Sequence, residues 1–304
     1  MKKHILLAAV AFSTMLAATQ ASATELWDPH LRGTDEGLAA GAALPPGLYG
    51  VWDQWYDTLT IYDNGGHDTG VHVDALVEVP ILLWQSGYKF LGGDYSAGIA
   101  VPFDYTNVRV AGAPGLSDNG HWGSFNTVLI PGQLAWTLPN HFHAKLGLTV
   151  YLDDASSSPA SPPPGGGVGS GNGYATIQPD LGISWLNDGW NVSLSMHYAA
   201  NMNDSKTHYQ SGDEFMVDYT VTKDIGKWTV GLGGYSENQL SDDTGAGAVG
   251  CIHNDGCKVA IYGIGPIIGY NFGGLIGQLQ YNAAFANKND AGGNMLNVRL
   301  VVPF

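Results

Sequence analysis

Charge is scarce in this sequence. Of its 304 residues, 13% are Asp, Glu, Lys or Arg, against roughly 25% in an ordinary soluble domain. Positive charge is scarcest: 12 Lys and Arg face 27 Asp and Glu. With no basic stripe anywhere, nucleic acid is excluded as a partner. Cysteine is limited to two residues, too few for a disulfide scaffold. No GxSxG elbow and no HExxH pair occurs, so the common hydrolase and zinc-protease motifs are missing. Past the N-terminus no apolar run approaches the ~20 residues a membrane helix needs. If the chain lies in a membrane, it crosses as strands.

The N-terminus sets the compartment. Lys2 and Lys3 precede an apolar run from Ile5 to Ala18, and Ala21-Ser22-Ala23 forms a small-x-small cleavage site. Residues 1–23 read as a secretory signal peptide, with Thr24 the first mature residue. Cleavage leaves 10 basic against 27 acidic residues, a net charge of −17. In an oxidising compartment, Cys251 and Cys257 in CIHNDGC read as one small loop-closing disulfide. A metal pair completed by His253 is the alternative, although structural zinc wants four ligands.

What is abundant is glycine, with 43 residues, and aromatic side chains at 11%. Beyond a Gly/Ala-rich lead-in at 24–46, apolar and polar residues alternate in run after run. Val71, Val73, Ala75, Val77 and Val79 oppose His72, Asp74, Leu76 and Glu78. Phe142, Ala144, Leu146, Leu148 and Val150 oppose His141, His143, Lys145, Gly147 and Thr149. Val192, Leu194, Met196 and Tyr198 oppose Asn191, Ser193, Ser195 and His197. Period-two alternation over ten or so residues, repeated many times, is the mark of a transmembrane β-barrel. About twelve strands are expected, at 47–62, 71–85, 88–105, 124–138, 141–153, 174–186, 190–200, 213–222, 227–238, 258–272, 275–286 and 293–304.

The connections support the count. Tight turns are expected at Ser86-Gly87, Pro139-Asn140, Asn187-Asp188-Gly189, 223–226 and Gly273-Gly274. Longer polar loops fall between them near 63–70, 106–123, 154–173, 201–212, 239–257 and 287–292. Short and long alternate, as periplasmic turns and external loops do. Trp84, Trp136, Trp185, Trp190 and Trp228 lie close to the tight turns, where a girdle at the headgroup level belongs. The closing strand GNMLNVRLVVPF sets Leu296, Val298, Leu300, Val302 and Phe304 against Met295, Asn297 and Arg299. The final aromatic resembles the signal that the outer-membrane barrel-assembly machinery reads.

The stretches GLAAGAALPPGLY (37–49), GYATIQPDLGISWLNDGWNVSLSMHYAANMND (173–204), YQSGDEFMVDYTVTKDIGKWTVGLGGYSENQLSDD (209–243) and GPIIGYNF (265–272) resemble the outer-membrane proteins named for the meta pathway of phenol degradation. The resemblance implies a barrel that admits aromatic or other hydrophobic nutrients and carries over no functional residues. The Pro/Gly/Ser insert at 154–172 departs from the family and reads as an external loop particular to this chain.

Candidate lumen-facing residues are His72, Asp74, Glu78, His141, His143, Lys145, Asp180, His197 and Arg299. An inward polar face accounts for them. His141 and His143, on one strand face, could grip a metal, but nothing nearby completes a site. The expectation is an all-β, antiparallel up-and-down barrel over 47–304 in the outer membrane of a Gram-negative cell. It would act as a passive channel for small hydrophobic or aromatic solutes, with no catalytic residue, metal or cofactor. Its partners would be outer-membrane lipid, lipopolysaccharide, the assembly machinery and the solute. The 24–46 lead-in, carrying Asp28, Arg32, Asp35 and Glu36, is a candidate plug. The rival readings are a phospholipase-like barrel enzyme and a structural or adhesive barrel.

Overall fold

The computed structural model describes residues 27–112, 114, 118–156 and 170–304. The signal segment 1–23 and most of the 154–172 insert lie outside the described residues. The strands are β1 (Gly47–Tyr62), β2 (Asp68–Phe90), β3 (Gly93–Ala100), β4 (Phe103–Val110), β5 (Asp118–Ser124), β6 (Val128–Thr137), β7 (Phe142–Tyr151) and β8 (Thr176–Asn187). They continue with β9 (Trp190–Asn201), β10 (Tyr209–Gln210), β11 (Glu214–Ile225), β12 (Trp228–Gln239), β13 (Thr244–Gly245), β14 (Ala260–Asn271), β15 (Ile276–Lys288) and β16 (Ala291–Pro303).

All but β10 and β13 join one antiparallel sheet, and β1 closes it by pairing with both β2 and β16. β3 and β4 lie end to end along β2, and β5 and β6 follow them as one interrupted stave. The result is a closed barrel of twelve staves. Closure is obligatory in hydrocarbon, where each unmet backbone polar group costs several kcal/mol.

Local chemistry explains the punctuation. The β8–β9 hairpin turns on Asp188 and Gly189, both at positive φ, as a two-residue hairpin requires. The β2–β3 turn falls at Leu91-Gly92 instead of Ser86-Gly87. Both residues of that turn have positive φ. Gly87, also at positive φ, sits where the β2–β3 register shifts between Gln85 and Lys89; a glycine that suits a turn suits a bulge equally well. The external loop expected at 106–123 is shorter, because backbone pairing to β2 carries β4 on to Val110. Prolines interrupt ladders as the missing donor demands. Pro80 lies opposite the break between β3 and β4, and Pro131 sits at a register shift between β6 and β7.

Most apolar stripes face outward: Leu146, Leu148, Val192, Leu194, Val221, Leu232, Ile264, Ile268 and Leu300 are all exposed. Trp84, Trp190, Trp228, Phe142, Phe272 and Phe304 ring the end with the tight turns. β2 is the exception. Its register against β1 sets Val73, Ala75, Val77 and Val79 opposite Leu59, Asp57, Trp55 and Asp53, and all of these are buried. The apolar ones form a cluster inside the barrel with Trp27, Phe125, Tyr235, Ile261 and Met295.

His72, Asp74 and Glu78 therefore face outward, contrary to expectation. Alternation fixes which residues share a face, not which face is inside. The outer position is tolerated because each group finds a partner. His72 Nδ1 lies 3.1 Å from Thr60 Oγ1, and Arg109 bridges to Asp74 at 2.6 Å. Glu78 accepts from Trp52 Nε1 at 2.7 Å and from Gln54 Nε2, leaving it only 6% exposed.

Over the external mouth, β10 pairs with β13, and Cys251 is bonded to Cys257. Asp243 accepts hydrogen bonds there from Tyr209 Oη and the backbone N–H of Gly212, and burial pushes its carboxyl up.

Trp55, 2% exposed, is the largest fully buried side chain of the interior. Trp55→Ala is expected to destabilise the barrel by about 3–5 kcal/mol. Urea unfolding in phospholipid vesicles reads the change; a loss within error of wild type would contradict an internal apolar core.

Candidate functional site: the lumen and the segment inside it

Residues 27–46 run through the barrel and are held by side chains from across the wall. Their Gly- and Ala-rich composition lets the backbone approach the sheet closely. A Cβ on Gly41 would lie 2.4 Å from His143 O. The segment makes short turns of its own, such as Glu36 N–H to Gly33 O and Ala42 N–H to Ala39 O. Polar backbone groups left over must find partners on the wall. Asp218 of β11 accepts from the N–H groups of Gly33 and Asp35. Thr220 takes Gly37 N–H, and Ser184 takes Gly41 N–H. Gln280 and Gln278 donate to Gly33 O and Glu36 O.

Two guanidinium groups fasten the segment. Arg32 donates to Glu237 at 2.8 Å, to Ala291 O at 2.7 Å, and to Asp28 and Asp290. From the wall, Arg299 donates to Asp53 at 2.7 Å, to Glu36 O at 2.7 Å and to Thr34 O. Asp53 faces Arg299 directly across the β1–β16 seam. One cation thus ties the closure of the barrel to the chain inside it. A planar guanidinium suits this many-partnered role better than an ammonium would.

Beside the segment the lumen keeps two adjoining chambers. The outer, of about 150 Å³, lies between an apolar wall (Val79, Ile81, Ala100, Phe125, Val128, Ile130) and a polar one (Lys145, Thr149, Gln178, Asp180, Ser195, His197). The inner, of about 640 Å³, opens among Leu38, Ala39, Ala42, Leu44, Leu83 and Leu186, near the tight turns. Thr34, Asp35, Ile81, Ile130, Gln133 and Lys145 line both chambers. They form the neck between them. Among the groups lining the chambers, the carboxyls of Asp28, Asp35, Asp53 and Asp180 outnumber the cations Lys145 and Arg299.

Lys145, Asp180, His197 and Arg299 point into the lumen. His143 lies on the inner face at the periplasmic mouth, 3.4 Å from Thr137 Oγ1. His141 does not share its face. It sits in the Pro139–His141 turn, where Asn140 and His141 have positive φ, and the strand begins only at Phe142. The two histidines therefore form no pair. Residues that the strand pattern did not single out include His30, Asp218 and Glu237. For His30 and Asp218 the signal was faint, an imidazole in a Gly/Ala-rich lead-in and an acid in an alternating strand.

A closed antiparallel barrel with an apolar outer band, aromatic residues at its rim and a polar interior segment defines an outer-membrane β-barrel protein. By sequence the chain belongs to the family described as "Putative MetA-pathway of phenol degradation", which matches over residues 59–300. No curated protein matches it. Among solved structures it is similar to the COG4313 outer membrane channel from Pseudomonas putida F1, at 14% identity and TM-score 0.72, covering 87% of this chain and 98% of that one. It also matches the translocator domain of autotransporter NalP from Neisseria meningitidis (12% identity, TM-score 0.48, 86% and 90% covered). A third match is the CymD monoaromatic hydrocarbon channel (11% identity, TM-score 0.43, 86% and 89% covered).

Removing the Arg32 guanidinium leaves Glu237 and Asp290 buried without their cation, a loss of about 3–5 kcal/mol. Arg32→Ala is expected to free the 27–46 segment while the barrel persists. Limited proteinase K digestion followed by mass spectrometry should then show rapid cleavage within 27–46. Unchanged protection would mean that Arg32 is not the fastening.

Proposed function

We propose that this protein is a passive outer-membrane channel for small, neutral, weakly polar aromatic or hydrophobic solutes. The observation that carries the reading is the two-chamber lumen, with an apolar wall on one side and hydrogen-bonding groups on the other. A solute with a hydrophobic face and one polar edge would desolvate little more than its apolar surface there. The family's link to phenol degradation agrees with that class. The excess of carboxyl groups would repel aromatic carboxylates, since like charges in a narrow low-dielectric passage interact strongly. Transport would run down the gradient that intracellular consumption maintains.

In this reading the 27–46 segment is a fixed plug that narrows the bore. Export would depend on residues 1–23 and assembly on the last strand. Phe304 suits that role: its ring is 78% exposed while its N–H is bonded to Leu48 O at 2.8 Å. Lipid and lipopolysaccharide would surround the outer band.

The test compares the mature chain with a variant lacking residues 26–44, both in proteoliposomes and planar bilayers. Phenol-sized neutral solutes should enter faster than benzoate-type anions, by about tenfold, the effect of 1.4 kcal/mol. The deletion should raise single-channel conductance and blunt that discrimination. Equal entry of neutral and anionic solutes would contradict the lumen-based selectivity. Unchanged conductance would end the plug reading.

A further inference from the structure

Where the internal segment meets the wall beside the outer chamber, two imidazoles lie face to face. His30 of the segment stacks on His197 of β9 with ring centroids 3.8 Å apart and planes 23° from parallel. Three carboxylates surround them. Asp180 Oδ1 lies 2.7 Å from His197 Nδ1, Asp218 Oδ2 lies 3.3 Å from His30 Nε2, and Asp35 Oδ2 lies 3.5 Å from His197 Nε2. Asp180 is itself held by Thr149 Oγ1 at 2.6 Å and Gln178 Nε2 at 2.7 Å. These bonds fix the acid behind the ring.

For an uncharged His197 ring, that arrangement selects the tautomer: Asp180 at 2.7 Å is nearer Nδ1 than Gln178 Nε2 at 3.3 Å. With a carboxylate at Nδ1, the neutral ring carries its hydrogen there and donates it to Asp180. The lone pair is then on Nε2. That atom makes no hydrogen bond, and the residue is 3% exposed. A buried imidazole nitrogen left as a bare acceptor, with a carboxylate bonded to the opposite nitrogen, is the arrangement of a metal-binding histidine, in which the carboxylate fixes the tautomer and raises the ligand's basicity. One ligating atom each from His30, His197 and Asp218 lies within 4.8 Å of the other two.

We propose that His30, His197 and Asp218, with Asp35 as a further donor, hold one divalent transition-metal ion of the zinc class, joining the internal segment to the barrel wall. Two imidazoles with carboxylates suit Zn²⁺ and its neighbours, whereas Ca²⁺ and Mg²⁺ call for all-oxygen donors. Binding at Zn–N distances of about 2.0–2.1 Å asks the two rings to splay from their present stack. The outer chamber beside them gives room for that movement. The Asp28, Glu237 and Asp290 cluster is different in kind: Arg32 already supplies its positive charge. The assignment does not depend on which solute the channel passes.

The test uses the mature chain refolded in detergent, stripped with chelator and titrated with ZnCl₂ by calorimetry. Folding of every variant is checked by heat-modifiable gel mobility. One ion per chain is expected. His30→Ala and His197→Ala should each weaken binding by about 100-fold or more, and Asp180→Asn by about 10–100-fold through the tautomer it no longer fixes. His143→Ala, at the periplasmic mouth, should leave binding unchanged. Titration of the unaltered protein with Co²⁺ needs no variant, and the intense visible bands of a four-coordinate site should appear at one equivalent. The assignment is overturned if the wild-type chain binds no stoichiometric ion, if only the weak bands of six-coordinate Co²⁺ appear, or if His30→Ala and His197→Ala bind as tightly as wild type.

Discussion

Two arginines inside an acidic barrel hold this structure in its working shape. Arg299 spans the seam between the first and last strands through Asp53 and grips the carbonyls of Thr34 and Glu36. Arg32 gathers Asp28, Glu237 and Asp290 around one guanidinium. Buried ion pairs contribute little net stability compared with apolar packing, but losing one partner is costly. Their consequence here is positional. They decide where residues 27–46 lie, and so which part of the bore remains passable.

The remaining space takes its character from β1 and β2. With Asp53 and Asp57 turned inward, the pairing register brings Val73, Val77 and Val79 inward as well. One side of the lumen is therefore apolar, and Trp27 and Trp55 pack within it. A uniformly wet bore would pass ions and sugars with little preference. A bore with one apolar wall and one polar wall favours solutes that are themselves two-sided.

The barrel was legible in the sequence because period-two alternation, turn residues and rim tryptophans all describe the same object. Twelve staves, the outward stripes of β7, β9 and β16, and the alternation of short and long connections could be read locally. The direction of the β2 face could not. Val71 to Val79 reads as a lipid-facing stripe in isolation, and only its pairing with a strand whose acids must avoid lipid turns it inward. His141 was misplaced for a similar reason, since the alternation runs smoothly into a turn that Pro139 and the positive φ of Asn140 impose. The lumen contacts were the least legible. Arg32 and His30 meet partners some 190 to 260 positions away, and no spacing rule connects such residues. The charges in the lead-in did not show which wall groups would receive them.

In the proposed function, solute passes beside a stationary internal segment. The most direct measurement locks that segment to the wall. Asn191 Nδ2 donates to Leu38 O at 3.1 Å, so Leu38→Cys and Asn191→Cys can be joined by a short bifunctional thiol reagent; the Cys251–Cys257 pair is already bonded. Uptake of a neutral aromatic solute is then compared before and after joining. Uptake by the joined protein is expected to stay within about twofold of the unjoined form, a difference below 1 kcal/mol. Loss of uptake on joining, with recovery when the bridge is cleaved, would show that the segment must move for solute to pass.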